Sequence, residues 1–243
     1  MTPDEIKRLY DAGYAAEYDA KFLMSPVLWP DTSYELELLG RLLGSAASWL
    51  DVACGTGYFL HSFPHVTRTG IDVSPAMLEI AKSSNPDVEL IEQNYLDDRR
   101  DWIDKFDLVS CMWYAYSLVD TIAELLQLIK NLSAWTNNGG ACFVPLADPA
   151  LITGQALPYR LNNPFRLNDP GFAGEVTLTG IMWNFSEQDG KKVHRNLIAP
   201  HPDFMIESFE RYFEDVTLIR YPPRFPGWTG RPAIIARKKR GAA

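Results

Sequence analysis

A chain of 243 residues, 47% hydrophobic and 22% charged, has room for one full α/β domain with an embellishment but is short for two. Its 31 acidic against 23 basic residues leave a net charge of −8, which repels phosphate backbones and excludes nucleic acid as an expected partner. Cys54, Cys111 and Cys142 offer neither a disulfide framework nor metal-ligand spacing, and no leader or bilayer-length apolar run is present, so a soluble cytoplasmic protein without metal or membrane partner is expected.

Pro3 to Phe22 reads as one helix, with Thr2 as N-cap and Pro3 in the first turn. Tyr10, Tyr14, Tyr18 and Phe22 recur every four residues and form an aromatic stripe on one face. A second helix covers Ser33 to Leu43 and ends at Gly44. Strands at 49–53, 69–73, 88–91, 106–112 and 141–144 then alternate with helices, of which 75–83 and 121–135 are the clearest. This alternation predicts a doubly wound α/β sheet, with ligands beyond the carboxyl ends of its strands.

After Leu146 a proline-rich, polar stretch over 147–172 predicts an irregular excursion. Two strands, 175–186 and 192–198, joined by Glu187-Gln188-Asp189-Gly190, read as an inserted antiparallel β-hairpin placed as a lid. A helix at 201–212 and strands at 216–221 and 232–238 complete a seven-stranded sheet. The terminal run Arg237-Lys238-Lys239-Arg240 is expected to be a solvated tail.

The strongest local signal is Leu50-Asp51-Val52-Ala53-Cys54-Gly55-Thr56-Gly57, an apolar strand running into a glycine-bearing turn that opens a helix. Asp72 ends the next strand, where a carboxylate accepts hydrogen bonds from ribose hydroxyls. A dinucleotide fingerprint requires a third glycine three residues beyond Gly57, and Leu60 stands there. Asp51 would also repel a pyrophosphate, whereas it suits a ligand bearing an ammonium and a sulfonium.

This segment resembles motif I of the class I S-adenosylmethionine-dependent methyltransferases, with Ala53 where that family usually has glycine. The resemblance runs over about residues 45 to 146 and more weakly over the last two strands. It implies a Rossmann-like methyltransferase sheet in one domain. Residues 1–44 would be a helical cover, 45–146 the cofactor core, 147–212 the lid and acceptor region, and 213–243 the final strands. It further implies that Asp51, Ala53, Gly55 and Gly57 cradle the methionyl part of S-adenosylmethionine, that Asp72 binds its ribose, and that Val73 and Met77 lie against adenine. Asn94, in place of the usual aspartate, would read the adenine amine beside Tyr95, with Asp97 as the alternative, and Met112 would end the fourth strand near the transferring methyl. Asn138-Gly139-Gly140 resembles the turn before the fifth strand. In similar small-molecule members an N-terminal helix closes over the cofactor, which makes Tyr14 and Tyr18 candidates for contact near the sulfonium.

Methyl transfer needs alignment of nucleophile, methyl and sulfur, and needs a base only where the acceptor must lose a proton. His194, on the hairpin, is the candidate general base, with Tyr14 as a second catalytic group. His61 and His65 read as surface residues, and His201 carries less weight than His194. Trp113 and Tyr116, with Tyr114 between them, would form an aromatic acceptor wall together with Trp183. Arg195, with Arg160 or Arg166, would bind an acceptor carboxylate or phosphate. The expected reaction is methylation of a hydroxyl on a small-molecule acceptor of sugar or natural-product type. A small amine or amino sugar is the alternative acceptor, and a catalytically silent cofactor-binding partner is the alternative role.

Overall fold

The computed structural model describes residues 1–154, 179–187, 190 and 192–241. Strand β1 (Ser48–Val52) is buried at every residue but its first, as a strand covered by helices on both faces must be. It pairs in parallel with β2 (Thr67–Asp72) on one side and β4 (Phe106–Cys111) on the other, with Leu50 opposite Thr69 and Val109. Strands β3 (Glu89–Glu92) and β5 (Thr136–Pro145) extend the parallel sheet outward. Strand β9 (Pro232–Lys239) runs antiparallel between β5 and β8 (Phe213–Arg220), giving the order β3-β2-β1-β4-β5-β9-β8. The strand order reverses between β1 and β4, so the loops leaving their carboxyl ends splay apart and open a crevice. The β8–β9 loop returns at that same end, because Pro145 of β5 pairs with Ala233 near the start of β9.

Helices cover both faces. On one, α6 (Ile122–Trp135) buries Leu125, Leu128, Ile129 and Leu132, spaced to share one stripe, against α8 (Pro202–Glu210) and the sheet. Each such side chain contributes about 1.5–3 kcal/mol on burial. Thr121 caps α6 by accepting from the Glu124 N–H at 3.1 Å. On the other face, α3 (Trp29–Leu43) and α4 (Tyr58–His61) bring Leu38, Leu39, Leu43, Phe59 and Leu60 onto Trp49 and Phe143. Helix α5 (Pro75–Ser84), capped by Ser74, follows β2, and α7 (Pro149–Thr153) follows β5.

Four expectations are corrected here. The N-terminal helix is two, α1 (Pro3–Leu9) and α2 (Ala12–Tyr18), followed by a π-turn over Asp19–Leu23. Asp11 breaks it, because its carboxylate accepts from the Tyr14 N–H at 2.9 Å and starts α2 afresh. The second helix begins four residues early, at Trp29, with Pro30 in its first turn. Asn138-Gly139-Gly140 is part of β5 rather than a preceding turn; a Cβ on Gly140 would meet the Asp107 carbonyl at 2.6 Å. The basic terminal run is no tail: Arg237 pairs with Ala141 in the sheet, and the Lys239 ammonium donates to the carbonyls of Ala134 and Thr136.

The hairpin is present as β6 (Gly180–Ser186) and β7 (Val193–Pro200), with β7 against the 3-10 turn Ala115–Leu118. Residues 175–178, most of the excursion, Arg160, Arg166 and the turn residues Gln188 and Asp189 lie outside the described residues.

Candidate active site

The turn after β1 is shaped by left-handed backbone. Ala53 has φ +55°, Gly55 +55° and Gly57 +71°. A Cβ on Gly55 would project into open space on the cavity wall, whereas one on Gly57 would meet Asn85 Nδ2 at 2.7 Å. Gly57 therefore packs the turn against α5 and does not reach the cavity, contrary to the expected cradle role. Ala53 holds the same backbone at a cost of about 1–2 kcal/mol for its methyl group.

Around this turn lies a cavity of about 530 Å³, within the range of small-molecule sites. Asp51 lines it, 1% exposed, and accepts from the Ser110 hydroxyl at 2.6 Å, which in turn accepts from the Trp49 indole N–H at 2.8 Å. No cation partners Asp51 among the described residues, and burial pushes its pKa up to about 7, against the pull of Ser110. Asp72 is held by backbone: Gly55 N–H donates to one oxygen at 2.9 Å and Ser74 N–H to the other at 2.8 Å. Burial raises its pKa while those amides pull it back.

Val73, Met77, Asn94 and Tyr95 line the end of the cavity near Asp72. The Asn94 side-chain oxygen accepts from Leu96 N–H at 3.0 Å, and the Tyr95 hydroxyl donates to the Ala115 carbonyl at 3.3 Å. The aromatic stripe survives the helix break and roofs the cavity. Tyr10, Tyr14, Tyr18 and Phe22 follow one another with ring centroids 5.4, 6.0 and 5.1 Å apart. The π-turn carries Asp19, which accepts from the Thr56 hydroxyl at 2.5 Å and ties the roof to the glycine turn.

Met112, Trp113, Trp183 and His194 all reach the wall, as the sequence leads one to expect. Two expected acceptor residues do not. Tyr116 is 1% exposed in the core, where its hydroxyl accepts from Ala147 N–H at 2.7 Å. Arg195 is exposed on the outer side of the hairpin and does not line the cavity. His61 and His65 are exposed, and His201 caps α8.

The cationic wall comes instead from the β8–β9 loop. Arg231, 6% exposed, lies 4.8 Å from the Trp113 ring and 4.7 Å from the Tyr114 ring. It pairs with Glu35 and Asp31 of α3, each at 3.1 Å, and Arg224 approaches Asp31 at 3.5 Å. The Tyr221 hydroxyl adds a hydrogen bond to Glu35 at 3.0 Å. Burial pushes Glu35 up to about 7, with Arg231 opposing. Trp113 and Tyr114 both sit at positive φ, +49° and +62°, a strained pair of aromatics clamped under this guanidinium. Asp31 and Glu35 share a face of α3 at four-residue spacing, but no local signal links them to Arg231, so only the fold reveals the cluster.

Residues 50–140 match the methyltransferase domain family. The sheet order and the turn after β1 agree with that match. Over those residues the chain is similar to the class I S-adenosylmethionine-dependent methyltransferases. It is 29% identical over 145 residues to a dTDP-4-amino-2,3,4,6-tetradeoxy-D-glucose N,N-dimethyltransferase of Saccharopolyspora spinosa, a match spanning 58% of this chain and 57% of that relative. A dTDP-3-amino-3,6-dideoxy-alpha-D-glucopyranose N,N-dimethyltransferase of Streptomyces fradiae is 26% identical over 219 residues, 79% of this chain and 78% of the relative. Among solved structures, the S-adenosylmethionine-bound amino pentose methyltransferase CalS10 from Micromonospora echinaspora shares the fold. Its TM-score is 0.58 at 22% identity, over 86% of this chain and 91% of that one.

The cavity's donor set fits S-adenosylmethionine. Asp51 is a buried acid without a counter-cation among the described residues, Asp72 keeps lone pairs beyond its two backbone bonds, and Gly55 leaves open the space a side chain would take. No helix is long and apolar enough to cross a membrane among the described residues.

Proposed function

We propose that this methyltransferase moves the methyl group of S-adenosylmethionine to the nitrogen of a small polar amine of the amino-sugar class. The observation that carries this reading is one cavity that joins the Asp51–Gly55 turn to an aromatic wall whose arginines are already neutralised. Arg224 and Arg231 are the wall's arginines among the described residues, and both pair with Asp31. Such a wall suits a neutral or basic acceptor better than a polyanion. The two sugar N,N-dimethyltransferases among its relatives support nitrogen, and on this ground nitrogen replaces the oxygen first expected.

When bound, the cofactor supplies an activated methyl on sulfur. Asp51 then faces the methionyl ammonium, Asp72 takes the ribose hydroxyls, and Val73, Met77 and Asn94 hold adenine. Tyr14 and Tyr18 exclude water from above, while Trp113 and Trp183 present flat faces to the acceptor.

Calorimetric titration with S-adenosylmethionine and S-adenosylhomocysteine, with NADH as control, tests the cofactor half. Micromolar binding abolished by Asp72→Ala is expected; binding of NADH alone would overturn it. Incubation with a panel of amino sugars, matched hydroxyl sugars and small carboxylates, read by mass spectrometry, tests the acceptor. Methyl gain on the amines is expected, and gain confined to the hydroxyl or carboxylate compounds would refute the choice of nitrogen.

A further inference from the structure

Glu187, the last described residue before the hairpin turn, is buried at a junction where the lid meets the helical roof. Its Oε1 lies 2.9 Å from His194 Nε2 and accepts from the Tyr14 hydroxyl, while its Oε2 pairs with the Lys21 ammonium. Burial alone would push this carboxyl up, but the hydrogen bonds from His194, Lys21 and Tyr14 outweigh it, and its pKa is lowered. Glu187 is thus an acceptor only, which requires His194 to carry its proton on Nε2. The Tyr14 hydroxyl is likewise committed as a donor to Glu187, and burial, first, then that bond raise its pKa far above the ordinary phenol range. Tyr14 is therefore unsuited to accept a proton, whereas His194 Nδ1 has no partner among the described residues and its ring lines the cavity.

We infer that Glu187 is a positioning residue: it fixes the His194 tautomer so that the bare Nδ1 accepts the proton released from the acceptor nitrogen. The inference rests on the amine reading above. In the step, the acceptor nitrogen lone pair forms the new N–C bond and the C–S bond breaks with its electron pair going to sulfur. The extra proton on the methylated nitrogen then passes to Nδ1 and on to solvent. An acceptor that arrives as ammonium loses its proton by the same route before transfer. One carboxylate would also join lid to roof, so the geometry of the base depends on both covers being closed.

The test combines Glu187→Gln, His194→Asn and the double variant, assayed with an amino sugar that the wild type methylates. Glu187→Gln should lower kcat about tenfold, within the range general-base catalysis contributes, while S-adenosylhomocysteine affinity stays within about twofold. In the His194→Asn background the same change should cost nothing further. Additive losses, a weakened S-adenosylhomocysteine complex, or an unchanged kcat would each overturn the positioning role. Nitrogen NMR of the His194 ring in the wild type gives a readout independent of turnover and of the variants' folding. Proton on Nε2 with Nδ1 bare is expected, and the reverse tautomer would refute the proposal. The expected tautomer in a protein that methylates no amine would leave the geometry standing and remove the base role with the amine reading itself.

Discussion

The Asp51 carboxyl is held up at about 7 by burial, which among the described residues the Ser110 hydroxyl opposes. Unfolded, it would lose its proton near the ordinary value of 3.8; folded, it keeps it to about 7. Between those values the folded state binds more protons, so this group's contribution makes the protein less stable as pH rises through that window. An ammonium beside it reverses the preference, so binding drives the proton off. Cofactor affinity should therefore climb through about pH 7. Titration in buffers of differing ionisation enthalpy should show nearly one proton released at about pH 6 and few at about pH 8. Asp51→Asn should abolish that release; an unchanged release would place the ammonium elsewhere. Asp51 and Asp72 were legible because a strand, a glycine turn and an acid follow one another locally. The Asp31–Glu35–Arg231 cluster was not, since α3 and the β8–β9 loop, nearly 200 residues apart, meet only when the chain packs.

The break between α1 and α2 shows how one side chain sets an element. The four-residue aromatic spacing is readable, but it does not register the competing claim of the Asp11 carboxylate on the backbone. By capping α2, Asp11 sets the angle at which Tyr14 and Tyr18 enter the roof, and it also meets Lys192 at 3.4 Å across to the lid. Asp11→Ala should cost about 1 kcal/mol in urea unfolding and speed amide exchange at Tyr14. Unchanged exchange there would mean the roof is held by ring packing alone. The helices α5 and α6 were read within a residue or two because their caps, Ser74 and Thr121, are encoded next to their apolar stripes.

Across the molecule, the parallel half of the sheet follows from strand–helix alternation, since only right-handed crossovers then remain. The slot of β9 between β5 and β8 is a long-range pairing with no local signature, and it is this slot that swings the β8–β9 loop over the cavity. The hairpin and the inward His194 are readable from strands and turn; alternation turns Arg195 outward, and an irregularity at Asn196, with φ +56°, brings Leu197 back to the cavity.

The seven tryptophans divide along these same lines. Trp49, Trp102 and Trp135 are sealed in the core, Trp29 and Trp228 are open to solvent, and Trp113 and Trp183 stand on the acceptor wall. The protein thus carries its own optical gauge of occupancy. Emission from the sealed indoles is a fixed background, and bromide quenches the two outer ones in every state. An acceptor entering the wall should change only what remains, so Trp113→Phe with Trp183→Phe should erase the ligand-dependent signal, and a signal that persists would place the acceptor away from this wall.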